Sequence, residues 1–120
     1  MTVDNFYIVK QIIDVAPQQY RISVMFIAEH SVFMGHFPGN PVVPGVCSLQ
    51  MIIECAGKVL GYPVKMINMP IVKFLEMIRP SSDKVLEMDL IIDDDMVLKG
   101  TISLEERKVL SCRMKLDRIN

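Results

Sequence analysis

The sequence predicts an α+β fold in which one curved antiparallel sheet wraps a single long helix. The segment VCSLQMIIECAGKVL (residues 46–60) is apolar in nearly every direction around a helix, and such a helix must be buried nearly all round. On both sides of it, apolar and polar residues alternate, which is the period of a half-buried strand. The predicted order is two strands, one helix and then several strands.

Two strands are predicted before the helix. The segment YIVKQIIDV (residues 7–15) forms the first and is closed by Ala16 and Pro17. The second places four apolar residues on one face by strict alternation: Tyr20, Ile22, Val24 and Phe26.

The long segment is predicted to end as a helix at Gly61, with Pro63 beyond as a stop signal. Strand-like patterns return from Lys65 onward. The three clearest cover residues 86–90, 98–104 and 110–116, joined by short polar segments at 93–95 and 105–108. Because such short connections cannot carry a parallel crossover, they predict an antiparallel meander.

The length and composition are typical of one domain, residues 1–120. With 51% hydrophobic and 22% charged residues, the chain can bury a core. The balance of 13 basic and 14 acidic groups argues against nucleic-acid binding. Because the sequence shows neither eighteen consecutive apolar residues nor a signal-peptide pattern, we expect a cytoplasmic protein. Three cysteines are predicted to be buried thiols: Cys47, Cys55 and Cys112.

Three polar residues interrupt the apolar helix at successive i, i+4 steps: Gln50, Glu54 and Lys58. They form one narrow stripe, which is either solvent-facing surface or the wall of a site. For Glu54 the simpler role is an i, i+4 ion pair with Lys58.

The loop before the helix, GHFPGNPVVPG (residues 35–45), contains three prolines that fix φ angles and give it a rigid path. Pro44 fits the first turn of the helix, so that Gly45 and Val46 offer unpaired N–H groups to a developing oxyanion. His36 is then a candidate base facing that donor, as removal of a proton beside a thioester carbonyl requires. The alternative is that His36 only caps a turn.

Two other polar features favour structural roles. The acidic run at residues 93–95 is interpreted as a turn, because neighbouring strand residues point to opposite faces and Asp is common in hairpin turns. His30 lacks a cysteine or acid at zinc-finger spacing and is interpreted as an exposed loop residue.

The segment GHFPGNPVVPGV (residues 35–46) closely resembles the signature of the (3R)-hydroxyacyl-acyl carrier protein dehydratases of bacterial fatty-acid synthesis. The order of elements also agrees with that family's hotdog fold, in which a sheet wraps one long helix. The resemblance implies a homodimer with two interfacial sites, each taking the histidine from one chain and an acid from the helix of the other. It implies no metal or organic cofactor.

By position in that signature, His36 is the base at C2 of the substrate and the Gly45 N–H holds the thioester oxygen. Phe37, Pro44 and Val46, which flank these groups, are expected to contact the substrate. The resemblance implies that the acyl chain arrives on the phosphopantetheine arm of an acyl carrier protein and lies in a tunnel along the helix.

Gln50 departs from this family, which has a glutamate or aspartate at the position that helps the 3-hydroxyl leave. An amide can orient a hydroxyl or water but cannot act as the acid. Three interpretations follow: His36 returns the proton with Gln50 as positioner, Glu54 supplies the carboxyl, or the chain is a non-catalytic subunit that binds acyl thioesters. An acyl thioesterase is a further alternative, for which Glu54 is the helix candidate. The sequence favours a 3-hydroxyacyl dehydratase that forms trans-2-enoyl thioesters.

Overall fold

A computed structural model describes residues 6–34, 39, 41–68 and 71–119. Within them the chain forms one long helix, seven strands and a short 3-10 helix at Ser31–Phe33. The helix and strands are β1 (Tyr7–Ala16), β2 (Gln19–Phe26), α1 (Gly45–Leu60), β3 (Val64–Met66), β4 (Ile71–Phe74), β5 (Leu86–Ile92), β6 (Val97–Leu104) and β7 (Arg107–Arg118). The predicted order of elements is confirmed.

The strands form one antiparallel sheet in the order β1-β2-β5-β6-β7-β3. β5, β6 and β7 are consecutive neighbours, so the predicted meander is confirmed. β3 pairs with residues 116–118 of β7 and β4 with residues 110–113 of the same strand. These two short strands were not resolved individually by the sequence pattern.

The concave face of the sheet forms the core against α1. The predicted alternation in β2 is confirmed, since Ile22, Val24 and Phe26 are buried. This curved antiparallel sheet around one helix is the hotdog arrangement expected from the sequence. The expectation that the helix is buried nearly all round is wrong for a single chain, because the sheet covers one side of it. Val46 is 55% exposed.

Two hairpin turns close the meander. In the acidic turn, Asp93 Oδ1 accepts from the N–H groups of Asp95 and Val97, which confirms the turn interpretation. At the β6–β7 connection, Glu105 and Glu106 alone form the turn, with φ of 51° and 68°. Both lie in the left-handed region, as a two-residue type I′ turn requires.

Two local expectations are wrong. Pro44 is the N-cap of α1 with an extended ψ of 140°, so the helix begins one residue later, at Gly45. His30 is half-buried, because its ring lies edge-on to Phe6 and Phe33. Its Nδ1 accepts a 3.0 Å hydrogen bond from the Val32 N–H and caps the short 3-10 helix.

The prediction of buried thiols is confirmed, since all three cysteines are free and buried. Burial raises the pKa of Cys55 and of Cys112 to about 11. None of the described helices is both long and apolar enough to span a membrane.

Candidate active site

The polar stripe of α1 lies on the wall of a cleft of about 720 Å³. Of the two interpretations of the stripe, the structure therefore supports the wall of a site. The cleft opens between the helix, the start of β1 and the chain that follows the helix. Its lining consists of Tyr7, Val9, Gln50, Ile53, Glu54, Gly57, Lys58, Gly61, Tyr62, Pro63, Val64 and Ile119.

Glu54 is the centre of a hydrogen-bonded group in this cleft. Its Oε1 accepts from the Tyr7 hydroxyl at 2.6 Å, and its Oε2 accepts from Gln50 Nε2 at 3.1 Å. Burial, and then the hydrogen bond to Glu54, raise the pKa of Tyr7 well above its usual value. The Tyr7 hydroxyl therefore stays protonated and remains a donor across the physiological pH range.

The expected ion pair between Glu54 and Lys58 does not form. The ion pairs among the described residues join other side chains, and Lys58 is exposed at the rim of the cleft. Glu54 instead uses both oxygens for Tyr7 and Gln50, so its carboxylate is tied to the half-buried part of the wall.

A second cleft, of about 450 Å³, lies at the start of the helix. It contains Gly45 and the exposed edge residues Phe74 and Met77. Pro44 makes no side-chain cap, and among the described residues no backbone acceptor pairs with the N–H groups of Gly45 or Val46. The helix start therefore offers donors at the positive end of its dipole.

Gly45 and Gln50 face different clefts. At about 100° per residue, five steps turn Gln50 about 140° around the helix from Gly45. Among the residues that the structure describes, none lines both clefts. The two groups predicted to act on one substrate are thus brought to opposite sides of the same helix.

The remaining predicted site residues either lie outside the described residues or line neither cleft. His36 and Phe37 lie outside the described residues. Pro44 is half-buried and Val46 is exposed, and neither lines either cleft.

Tyr7 is the member of the site that sequence reasoning missed. It stands at the first position of β1, directly opposite Phe26, on the face that packs against the core. Its inward position in the alternating strand was the available signal, but its helical partner is 47 residues away.

A family model described as ApeI-like, ApeI dehydratase, matches residues 13–112. The chain belongs to the ApeI-like dehydratase family. The match covers most of the sheet and all of α1, including Gln50 and Glu54. The resemblance to hydroxyacyl dehydratases is thereby confirmed at the level of the family.

Curated relatives of this ApeI-like chain carry the name 3-hydroxyacyl-acyl-carrier-protein dehydratase FabZ. The one from Legionella pneumophila (strain Lens) is 36% identical over 53 residues, which are 43% of this chain and 35% of that protein. The match thus spans about a third of the length of the Legionella relatives. The FabZ of Lactococcus lactis subsp. cremoris (strain SK11) is 25% identical over 119 residues, covering 82% of this chain and 83% of the relative.

A solved structure described as the dehydratase heterocomplex ApeI:P from Xenorhabdus doucetiae superimposes with a TM-score of 0.80. It covers 92% of this chain and 97% of its own chain, at 22% identity. At that identity the likeness shows the hotdog fold of this ApeI-like chain.

Proposed function

We propose that the chain dehydrates 3-hydroxyacyl thioesters carried on an acyl carrier protein, giving trans-2-enoyl thioesters and water. The observation that carries the proposal is the pair Gln50 and Glu54 on the wall of the large cleft. Gln50 occupies the position at which the dehydratase resemblance places the group that handles the 3-hydroxyl. Membership of a dehydratase family supports the same reaction class.

In the proposed reaction, His36 takes a proton from C2 while the Gly45 N–H holds the thioester oxygen. The C2–H bond breaks, the C2–C3 double bond forms and the C3–O bond breaks. Because Gln50 has no proton to give as an acid, His36 passes the C2 proton to the departing oxygen, which leaves as water. Gln50 accepts a hydrogen bond from the 3-hydroxyl and orients it.

We infer that this site needs two chains. Gly45 and Gln50 of one chain face different clefts, so one substrate can reach both groups only if they come from two copies. The edge strand β4 and the chain after it expose large apolar side chains beside the Gly45 cleft, among them Phe74, Leu75 and Met77. An apolar sheet edge that is left uncovered favours pairing with another chain. A homodimer formed through β4 would bring Gly45 of one chain to Gln50 of the other and would cover this apolar edge.

A second candidate is a subunit that is completed by a different chain. Gln50 favours it, because a partner with a carboxyl at the equivalent position would provide the acid that this chain lacks. The Xenorhabdus structure, one chain of which superimposes on this one, is described as a dehydratase heterocomplex. In such a pair this chain contributes His36 and Gly45 to one site.

Mass spectrometry of a 3-hydroxyacyl carrier protein incubated with the purified chain tests the proposal. Loss of water with the wild type but not with His36→Ala supports a dehydratase that works with an amide at position 50. Activity confined to Gln50→Glu supports the subunit that needs an acid from elsewhere. Release of the acyl group as a free acid, with no loss of water, would instead show a thioesterase and overturn both.

A further inference from the structure

The geometry points to Tyr7 and Glu54 as positioning residues that hold the Gln50 amide with its carbonyl oxygen free for the substrate's 3-hydroxyl. This inference rests on the proposed dehydration and adds two residues to it. Neither residue belongs to the loop that contains His36 or to the first turn of α1. They lie on β1 and one turn further along α1, on the wall of the same cleft as Gln50.

The orientation of Gln50 follows from hydrogen-bond chemistry. A carboxylate only accepts, so the group of Gln50 that stands 3.1 Å from Glu54 Oε2 must be its NH2. The amide carbonyl is then the group left for a ligand in the cleft. Without Glu54, the amide could present either end, and its NH2 would compete for the lone pairs of the departing oxygen.

Tyr7 fixes Glu54 in turn. Its hydroxyl donates to the other carboxylate oxygen at 2.6 Å, from a strand that does not share the helix backbone. A carboxylate held at both oxygens, from α1 and from β1, has little freedom to change rotamer. All three side chains are half-buried, where hydrogen bonds are stronger than in open water.

This arrangement matters because Gln50 replaces an acid. The amide carbonyl accepts the hydrogen of the 3-hydroxyl and sets the rotation of the C3–O bond. The oxygen lone pairs then point away from Gln50 and stay free to take the proton removed from C2. Glu54 itself keeps both oxygens as acceptors and takes no proton in the reaction.

Steady-state kinetics test the positioning role through Tyr7→Phe and Glu54→Gln. Because small misplacements of reacting groups can cost up to about 100-fold, we expect kcat to fall about 10- to 100-fold in Glu54→Gln, and less in Tyr7→Phe. KM should stay within about twofold, since either end of the Gln50 amide can hydrogen-bond the 3-hydroxyl of the bound substrate. In a Gln50→Ala background the same two substitutions should change kcat by less than about twofold, because nothing is left to orient.

Matched controls separate this effect from a general loss of structure. Glu87→Gln alters a half-buried carboxylate that accepts from the Ser23 hydroxyl outside the cleft, and Tyr20→Phe removes a hydroxyl from another half-buried tyrosine. Both controls should keep wild-type kcat. Equal losses from Glu54→Gln in the Gln50 and Gln50→Ala backgrounds would show a structural role and overturn the inference.

Nuclear magnetic resonance of the Gln50 side-chain amide provides a measurement that does not depend on turnover. One amide proton should resonate downfield in the wild type and lose that shift in Glu54→Ala, whereas Glu87→Gln should leave it unchanged. An amide signal insensitive to Glu54→Ala would overturn the orientation even in an active enzyme. Absence of turnover by both the wild type and Gln50→Glu would overturn the proposed function, with the amide orientation still decided by the spectrum.

Discussion

The ring of Phe74 lies against Gly45 so closely that a Cβ on Gly45 would stand 2.7 Å from the ring carbon Cζ. This contact joins the free edge of the sheet to the first residue of α1. The N–H group proposed to hold the thioester oxygen is thus positioned by a residue of the proposed dimer edge.

The effect of Gly45→Ala on stability should therefore depend on the residue at position 74. With Phe74 present, its exposed ring must turn away from the new methyl group, at a cost of roughly 0.5 to 1.5 kcal/mol that should leave the free energy of unfolding almost unchanged. In a Phe74→Ala background the same substitution should raise it by about 0.4 to 1 kcal/mol, because alanine restricts the unfolded chain at a helical position. Urea denaturation of the four proteins measures this coupling, and additive effects would contradict the contact.

Mixing two inactive variants tests whether the site is shared between chains. His36→Ala and Gln50→Ala homodimers should each be impaired. A mixed dimer contains one site with both defects and one with neither, so it should have about half of the wild-type rate, and a co-expressed pool that pairs at random should recover about a quarter. A site built within one chain would give no recovery, since each chain would carry a defect.

Gln50→Glu should alter the pH dependence of the reaction. The introduced carboxyl would lie beside the Glu54 carboxylate, and two carboxyl groups that share a site keep a proton to higher pH than one alone. The wild-type rate should rise with pH as a single base loses its proton and then stay level. The variant should be faster by about 10²-fold or more near neutral pH and should lose this gain as pH rises. Identical profiles would contradict the proposed absence of an acid in the wild type.

The buried thiols should make the fold sensitive to alkali. Burial raises the pKa of Cys55 and Cys112 from 9.0 to about 11, so between these values the unfolded chain binds fewer protons than the folded one. The protonated thiols therefore make their full contribution to the free energy of unfolding below about pH 9. That free energy should fall by roughly 1 to 3 kcal/mol per thiol as pH approaches 11. Tyr7, whose pKa is also raised, adds to the loss with the same sign.

Urea denaturation at a series of pH values measures this alkaline loss. The Cys55→Ala, Cys112→Ala double variant should show a flatter dependence on pH. Val64→Ala, a core substitution without a titrating group, should keep the wild-type slope. A slope unchanged in the double variant would assign the loss to other groups.

Most of the fold was predictable because its strands and the end of its helix are encoded in short stretches of sequence. Alternation such as Ile22, Val24 and Phe26 identifies a strand without knowledge of its neighbours, and Gly61 ends the helix with a φ of 85°, as the stop signal predicts. The short strands β3 and β4 were not separately predictable, since three or four residues carry too little periodicity.

The site was predictable only in part. The spacing of Gln50, Glu54 and Lys58 identified one face of α1, but it favoured an ion pair with Lys58 as the simpler role of Glu54. The structure instead brings in Tyr7, because the start of β1 passes beside the helix. His30 was misjudged for the same reason: its partners Phe6 and Phe33 become its surroundings only when the chain folds.

The β6–β7 turn has a practical consequence for every variant described above. Glu105 and Glu106 hold left-handed backbone conformations that cost most residues about 1 to 2 kcal/mol each. Asn and Gly adopt them readily, and the ion pair lost with Glu105, to Lys84, is solvent-exposed and worth little. Glu105→Asn with Glu106→Gly would thus give a more robust parent chain, in which weakened cleft variants stay folded long enough to be assayed.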